Sequence, residues 1–182
     1  MTERSATETA EIRAAQRNRE AFAPLYERYV DAVYGYCLRR LGSVEVAADT
    51  TSEVFMRALN SIGRFRGDSF RSWLFAIARN AVIDSYRTRK STETLPDGLA
   101  STITGPEQIA LQRETQSELR EALGQLTEQQ QEVVNLRLAG LTGKEIAAAM
   151  GMTHGAVKAT QVRAFTRLRE LMTAHDPEVH RD

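Results

Sequence analysis

The sequence predicts an all-α fold, with two small helical domains joined by a flexible linker. Three observations lead there. Apolar residues recur at the i, i+3, i+4 spacing of amphipathic helices in both halves of the chain. Alternation of β-branched and polar residues is nowhere sustained, so no sheet is expected. Between the halves, residues 91–107 (STETLPDGLASTITGPE) draw 10 of 17 positions from Ser, Thr, Pro and Gly, a composition that cannot bury a core. The expected divisions are a flexible N-terminal tail (1–15), a first domain (16–90), the linker (91–106), a second domain (107–175) and a C-terminal tail (176–182). At ~3.3–3.6 Å per residue the linker reaches roughly 50–60 Å.

The first domain reads as three helices. Phe22, Leu25, Tyr29, Val33, Tyr36, Cys37 and Leu41 form one stripe, which Gly42 ends. Ser43 opens the second helix, with Val46, Ala47, Val54, Phe55, Ala58 and Leu59 turned inward. Gly63 and Gly67 bracket a basic loop, and the third helix runs from about Ser69 to Tyr86 with Phe70, Trp73, Leu74, Ile77, Ala78, Ala81 and Ile83 apolar.

The second domain is punctuated by caps. Thr127 and Gln130 have the spacing of a capping box, in which the hydroxyl accepts from a first-turn amide and Gln130 reaches back. Val133, Val134, Leu136 and Leu138 follow, and Gly140 closes the helix. Thr142 and Glu145 form a second box, opening the short helix GKEIAAAM, which Gly151 ends. Met152 fills a turn, and Thr153 caps a long helix to about Ala174. A short helix, a glycine-containing turn and a basic helix make the helix-turn-helix pattern.

The chain has 182 residues, with 24 basic and 24 acidic side chains. A uniformly basic coat is therefore excluded, but the charge is segregated. Residues 57–90 hold 8 basic and 2 acidic residues, and residues 153–169 hold 4 basic and none acidic. The single cysteine, Cys37, excludes an internal disulfide and a Cys-based zinc site, and it reads as a small buried hydrophobe. The three histidines (His154, His175, His180) form no metal-ligand motif. No nucleophile–base set is evident, so neither a catalytic site nor a metal or cofactor is expected. The N-terminus lacks the apolar core of a signal peptide, and no stretch approaches the length of a membrane span. A cytoplasmic location is expected.

Three groups of residues carry the chemistry. The start of the last helix is suited to the DNA major groove. Gly155 and Ala156 allow close backbone approach, while His154, Lys158 and Gln161 reach base edges or phosphates. Arg163 and Arg167 share one face, suited to the phosphate backbone or to a polymerase surface. In the basic segment, Arg64, Arg66 and Arg71 interleave with Phe65, Phe70, Trp73 and Phe75, and Arg79, Arg87, Arg89 and Lys90 follow. Cations beside aromatic rings suit single-stranded nucleic acid. Trp73 and Phe75 are expected in the core, so Phe65 is the better stacking candidate. Asn80 offers both a donor and an acceptor, to an extruded base or equally to a neighbouring backbone. Asp49 and Glu53, at i and i+4, present a small acidic face, either simply solvated or suited to docking a partner.

With those residues in place, the chain resembles bacterial sigma factors of the sigma-70 family. AADTTSEVFMRALNSIGRFRGDSFRSWLFAIARNAVIDSYRTRK is similar to their second region. LGQLTEQQQEVVNLRLAGLTGKEIAAAMGMTHGAVKATQVRAFTRLREL is similar to their fourth. Two such regions joined by a short linker resemble the extracytoplasmic function (ECF) subfamily.

The resemblance implies a subunit that directs core RNA polymerase to promoters. Asp49, Glu53 and Arg57 would dock on the clamp helices of the largest subunit. Arg64, Phe65, Arg66, Asn80, Arg87 and Arg89 would open and hold the minus-ten element. Thr153, His154, Gly155, Ala156, Lys158, Gln161 and Arg163 would read the minus-thirty-five element. The resemblance also implies contact with the second-subunit flap and control by an anti-sigma factor. Some positions depart from the common pattern. Ala48 and Ser52 stand where many members have an acidic residue and Gln, and Thr160 and Gln161 where many have Arg and Leu. An ordinary helix-turn-helix regulator shares the pattern from Leu141 to Leu171, but it leaves the basic aromatic block and the acidic face unaccounted for.

Overall fold

A computed structural model of the chain describes residues 2–92 and 121–174. It contains seven named helices and no strand among those residues: α1 (Thr2–Arg17), α2 (Ala23–Leu41), α3 (Val44–Ser61), α4 (Phe70–Thr92), α5 (Glu128–Leu138), α6 (Gly143–Met150) and α7 (His154–Ala174). Short 3-10 turns at Arg19–Phe22 and Ile62–Arg64 lead into α2 and out of α3. Residues 93–120 and 175–182, which include nearly all of the expected linker and the C-terminal tail, lie outside the described residues.

The expected stripes become the core of the first domain. Leu25, Val33, Tyr36 and Cys37 of α2 meet Ala47, Val54 and Ala58 of α3 and Leu74, Phe75 and Ala78 of α4, all fully or almost fully buried. Pro24 sits in the first turn of α2, where its missing N–H costs nothing. The Ser43 hydroxyl caps α3 by accepting from the Val46 amide.

The N-terminal segment departs from expectation. Most of it is the helix α1, not a flexible tail. α1 is polar overall, so no apolar stripe announces it, and tertiary contacts hold it. Ala15 is buried, Arg28 of α2 pairs with Glu11 at 2.6 Å, and the Tyr29 hydroxyl bonds Glu8.

Both capping boxes form. Thr127 accepts from the Gln130 amide while Gln130 accepts from the Thr127 amide, and Thr142 and Glu145 do the same. Gly140 and Gly151 have φ of 86° and 65°. A side chain is strained in that left-handed region, so these glycines permit the sharp turns after α5 and α6. Leu138, expected on the apolar face of α5, is 61% exposed. It lies at the last helical position, where the chain turns away from the core.

The two halves share a core. Val133, Leu136, Leu141, Ile146 and Val157 belong to the same buried cluster as the first domain, with α6 packed on α4 and α5 on α2. A smaller cluster of Ala122, Leu126, Val134, Ala164 and Leu168 joins α5 to α7 within the second half.

Candidate nucleic-acid interface

The helix-turn-helix is formed by α6, Gly151–Thr153 and α7. The Met152 amide donates to the Ala147 carbonyl at 2.9 Å, closing the turn. The Thr153 hydroxyl accepts from the Ala156 amide at 3.2 Å and caps α7. Thr153, His154, Gly155, Lys158 and Arg163 are exposed, whereas Ala156 and Gln161 are half-buried. Thr160 is buried, and its hydroxyl accepts from Arg163 at 3.2 Å. It points into the domain, away from the solvent-facing side of α7. His154 lies over Gly143, at the start of α6. A Cβ added at Gly143 would meet His154 Nε2 at 2.9 Å, so the small residue leaves room for that imidazole.

The second group surrounds the loop between α3 and α4. Arg64 and Arg66 are exposed, but the Phe65 ring is buried. This corrects the expectation of a free stacking ring. Phe65 packs against Trp73 and Phe70, with centroids 5.1 and 5.8 Å apart. Trp73 is the half-exposed member of that stack, and Phe75 is fully buried as expected. Such tilted and edge-on aromatic contacts hold the loop to α4. Further along α4, Asn80 and Arg87 are exposed; the side chain of Arg89 lies outside the described residues.

The third group lines an open groove of about 580 Å³ between α3 and α4. Asp49 and Glu53 are exposed on its α3 edge. Arg57 spans the groove, bonding Glu53 at 2.5 Å and Asp84 of α4 at 2.9 Å. The Asp84 and Glu53 carboxylates raise the Arg57 guanidinium above its usual pKa. Asp84 was not legible in sequence, since it lies 27 positions from Arg57. No group of metal-ligating side chains occurs among the described residues.

Polar contacts that no sequence spacing announces join the two halves. Tyr36 and Arg40 of α2 meet the buried Glu132 of α5. Ser69 bonds Glu145 at 3.2 Å, and Arg71 donates to the Gly140 carbonyl at 2.9 Å. The start of α4 is thereby tied to the first helix of the helix-turn-helix and the turn before it.

Fold and surfaces together define an all-helical protein of the helix-turn-helix, DNA-binding class, with two basic elements and an acidic-edged groove. Residues 25–92 match sigma-70 region 2, and residues 116–168 match sigma-70 region 4. The ECF RNA polymerase sigma factor SigD of Mycobacterium tuberculosis is 34% identical over 91% of this chain and 82% of its own length. BldN of Streptomyces coelicolor, also an ECF RNA polymerase sigma factor, is 38% identical over 88% of this chain; the match spans 63% of BldN. Among solved structures, CnrH in complex with the cytosolic domain of CnrY is similar at a TM-score of 0.71 and 26% identity, covering 92% of this chain and 97% of that one. The chain belongs to the ECF subfamily of sigma-70 factors, and it is a transcription initiation factor.

Proposed function

We propose that the chain docks on core RNA polymerase through the groove edged by Asp49, Glu53 and Arg57. The loop around Arg64 and Arg66, with Asn80, Arg87 and Arg89 of α4, takes the minus-ten element. The start of α7, from Thr153 to Arg163, takes the minus-thirty-five element. Phe65 enters this scheme as the scaffold of the loop, because its ring is buried. The observation that carries the reading is the pairing, in one chain, of an exposed recognition helix with an acidic-edged groove between α3 and α4. The role uses binding alone and asks no catalytic step of the chain. It places the protein in the cytoplasm, and no helix among the described residues is long and apolar enough to cross a membrane.

We infer that the halves separate when both promoter elements are engaged. One helical turn of DNA spans about 34–36 Å, and a linker of roughly 50–60 Å contour reaches further than that. A protein inhibitor that holds them together would keep the factor idle. CnrH was solved with the cytosolic domain of a partner, and we infer an anti-sigma factor for this chain. Val162, Phe165 and Met172 are exposed along α7 and offer an apolar face to the polymerase flap.

The test is binding of labelled protein to purified core polymerase, with an Asp49→Arg/Glu53→Arg double variant beside it. Binding is expected to weaken about tenfold or more in the variant, since like charge replaces complementary charge. Absence of wild-type binding, in folded protein free of inhibitor, would overturn the proposal in favour of a stand-alone regulator.

A further inference from the structure

Residues 16–19 close onto residues 60–65. Gln16 Nε2 donates to the carbonyl oxygens of Ile62 at 3.2 Å and Phe65 at 3.0 Å. Arg19 donates to the side-chain oxygen of Asn60. The Phe65 carbonyl accepts a second bond, from Arg66 Nη1 at 2.8 Å, and the same nitrogen reaches the Gly63 carbonyl at 2.8 Å. The loop is therefore held from two sides. The aromatic stack of Phe65, Phe70 and Trp73 holds it from within, and the Gln16 amide holds its backbone from outside. α1 can serve as the fixed point because Ala15 is buried and Glu8 and Glu11 are tied to Tyr29 and Arg28.

Helix docking alone does not call for an amide at this position. Gln16 is half-buried at the edge of the α1 contact, where any long helix-forming side chain would cover the same surface. What Gln adds is an NH₂ group with two donors, and both are used, on the carbonyls of Ile62 in the 3-10 turn and of Phe65 just after it. Arg64 and Arg66, the exposed cations of this loop, project from the backbone that those bonds fix.

We propose that Gln16 is a positioning residue for promoter recognition. It sets the backbone of residues 62–65 and so sets where Arg64 and Arg66 meet the minus-ten strand. The inference rests on the reading of this loop as a minus-ten surface. It adds α1 to the recognition apparatus, although α1 precedes the matched region 2 segment.

The experiment uses the full chain assembled with core polymerase. The probe is fork-junction DNA randomised through the minus-ten element, with bound molecules sequenced. Wild type is compared with Gln16→Glu and Gln16→Met. Glutamate keeps the shape but sets an acceptor against two carbonyls; methionine keeps the length and helix preference without donors. Each hydrogen bond contributes a modest net amount, so losing two is expected to lower base discrimination about tenfold, with core-polymerase affinity changed by no more than about twofold. Unchanged discrimination in both variants would overturn the inference while leaving the loop reading intact. A wild-type complex that selects no sequence would overturn the loop reading and the inference with it.

If Gln16→Glu also loses polymerase binding, amide exchange in Gln16→Met decides the matter. The Phe65 amide, bonded to the Ile62 carbonyl at 3.0 Å, is expected to exchange faster while α1 stays helical. Unchanged exchange there would overturn the proposal.

Discussion

The Tyr36 hydroxyl donates to the Glu132 carboxylate at 2.6 Å, joining α2 of the first domain to α5 of the second across 96 positions of sequence. Arg40 lies 3.3 Å from the other carboxylate oxygen. Its Nε–H makes no aligned hydrogen bond, so that contact is electrostatic only. Burial, reinforced by the neighbouring Glu132 charge, keeps the Tyr36 phenol protonated well above its usual range. One acid thus meets a neutral donor and a cation inside a mostly apolar domain contact.

Removing Glu132 is expected to open the protein. A buried pair adds little net stability while intact, but deleting one member strands the other and costs about 3–5 kcal/mol. Glu132→Ala leaves Arg40 buried without its anion. The domains are expected to separate, seen as a larger radius of gyration by small-angle scattering, while the helical content of each half persists. Glu132→Gln keeps an acceptor for Tyr36 and is expected to fall between.

Cys37 supplies a pH test. Burial pushes its thiol up to about 11 from an ordinary value of 9.0. The folded state therefore favours the protonated form. The stability this contributes is present below pH 9.0 and is lost as pH rises toward about 11, because the unfolded chain ionises first. Folded protein at pH 8 is expected to resist iodoacetamide, with alkylation following global unfolding. Cys37→Ser is expected to weaken the alkaline loss, measured as the slope of denaturant stability between pH 9 and 11.

Gly143 supports the recognition helix through space. Gly143→Ala would set a methyl group against the His154 ring. Alanine is the better helix former, so thermal stability is expected to hold or rise slightly. On the proposed reading of His154 as a minus-thirty-five contact, its displacement would cost about 1–3 kcal/mol. Binding of polymerase-associated protein to duplex minus-thirty-five DNA is expected to weaken about tenfold, measured by competition against the wild-type protein.

Much of the fold was legible because its signals are local. The stripe from Leu25 to Leu41, the boxes at Thr127 and Thr142, and the glycines at 140 and 151 each act within one or two helical turns, and the structure realises all of them. The exposed start of α7 follows from the same punctuation. α1 was not legible, since it is polar overall and owes its place to buried Ala15, to Tyr29 and Arg28 and to the loop it touches. Phe65 was misplaced for a related reason. Its position between arginines reads as solvent-facing, and only the approach of α4 shows that the ring is covered by Phe70 and Trp73.

The sequence by itself determined the all-helical class, the domain order, the helix-turn-helix and the basic segments, because periodicity, caps and charge runs are properties of neighbouring residues. The tertiary structure alone decided what distant residues do to one another: Glu132 with Tyr36 and Arg40, Asp84 with Arg57, Gln16 with the loop carbonyls. Those pairings depend on how helices cross. Crossing geometry comes from the packing of side chains over the whole core, which no window of adjacent residues contains.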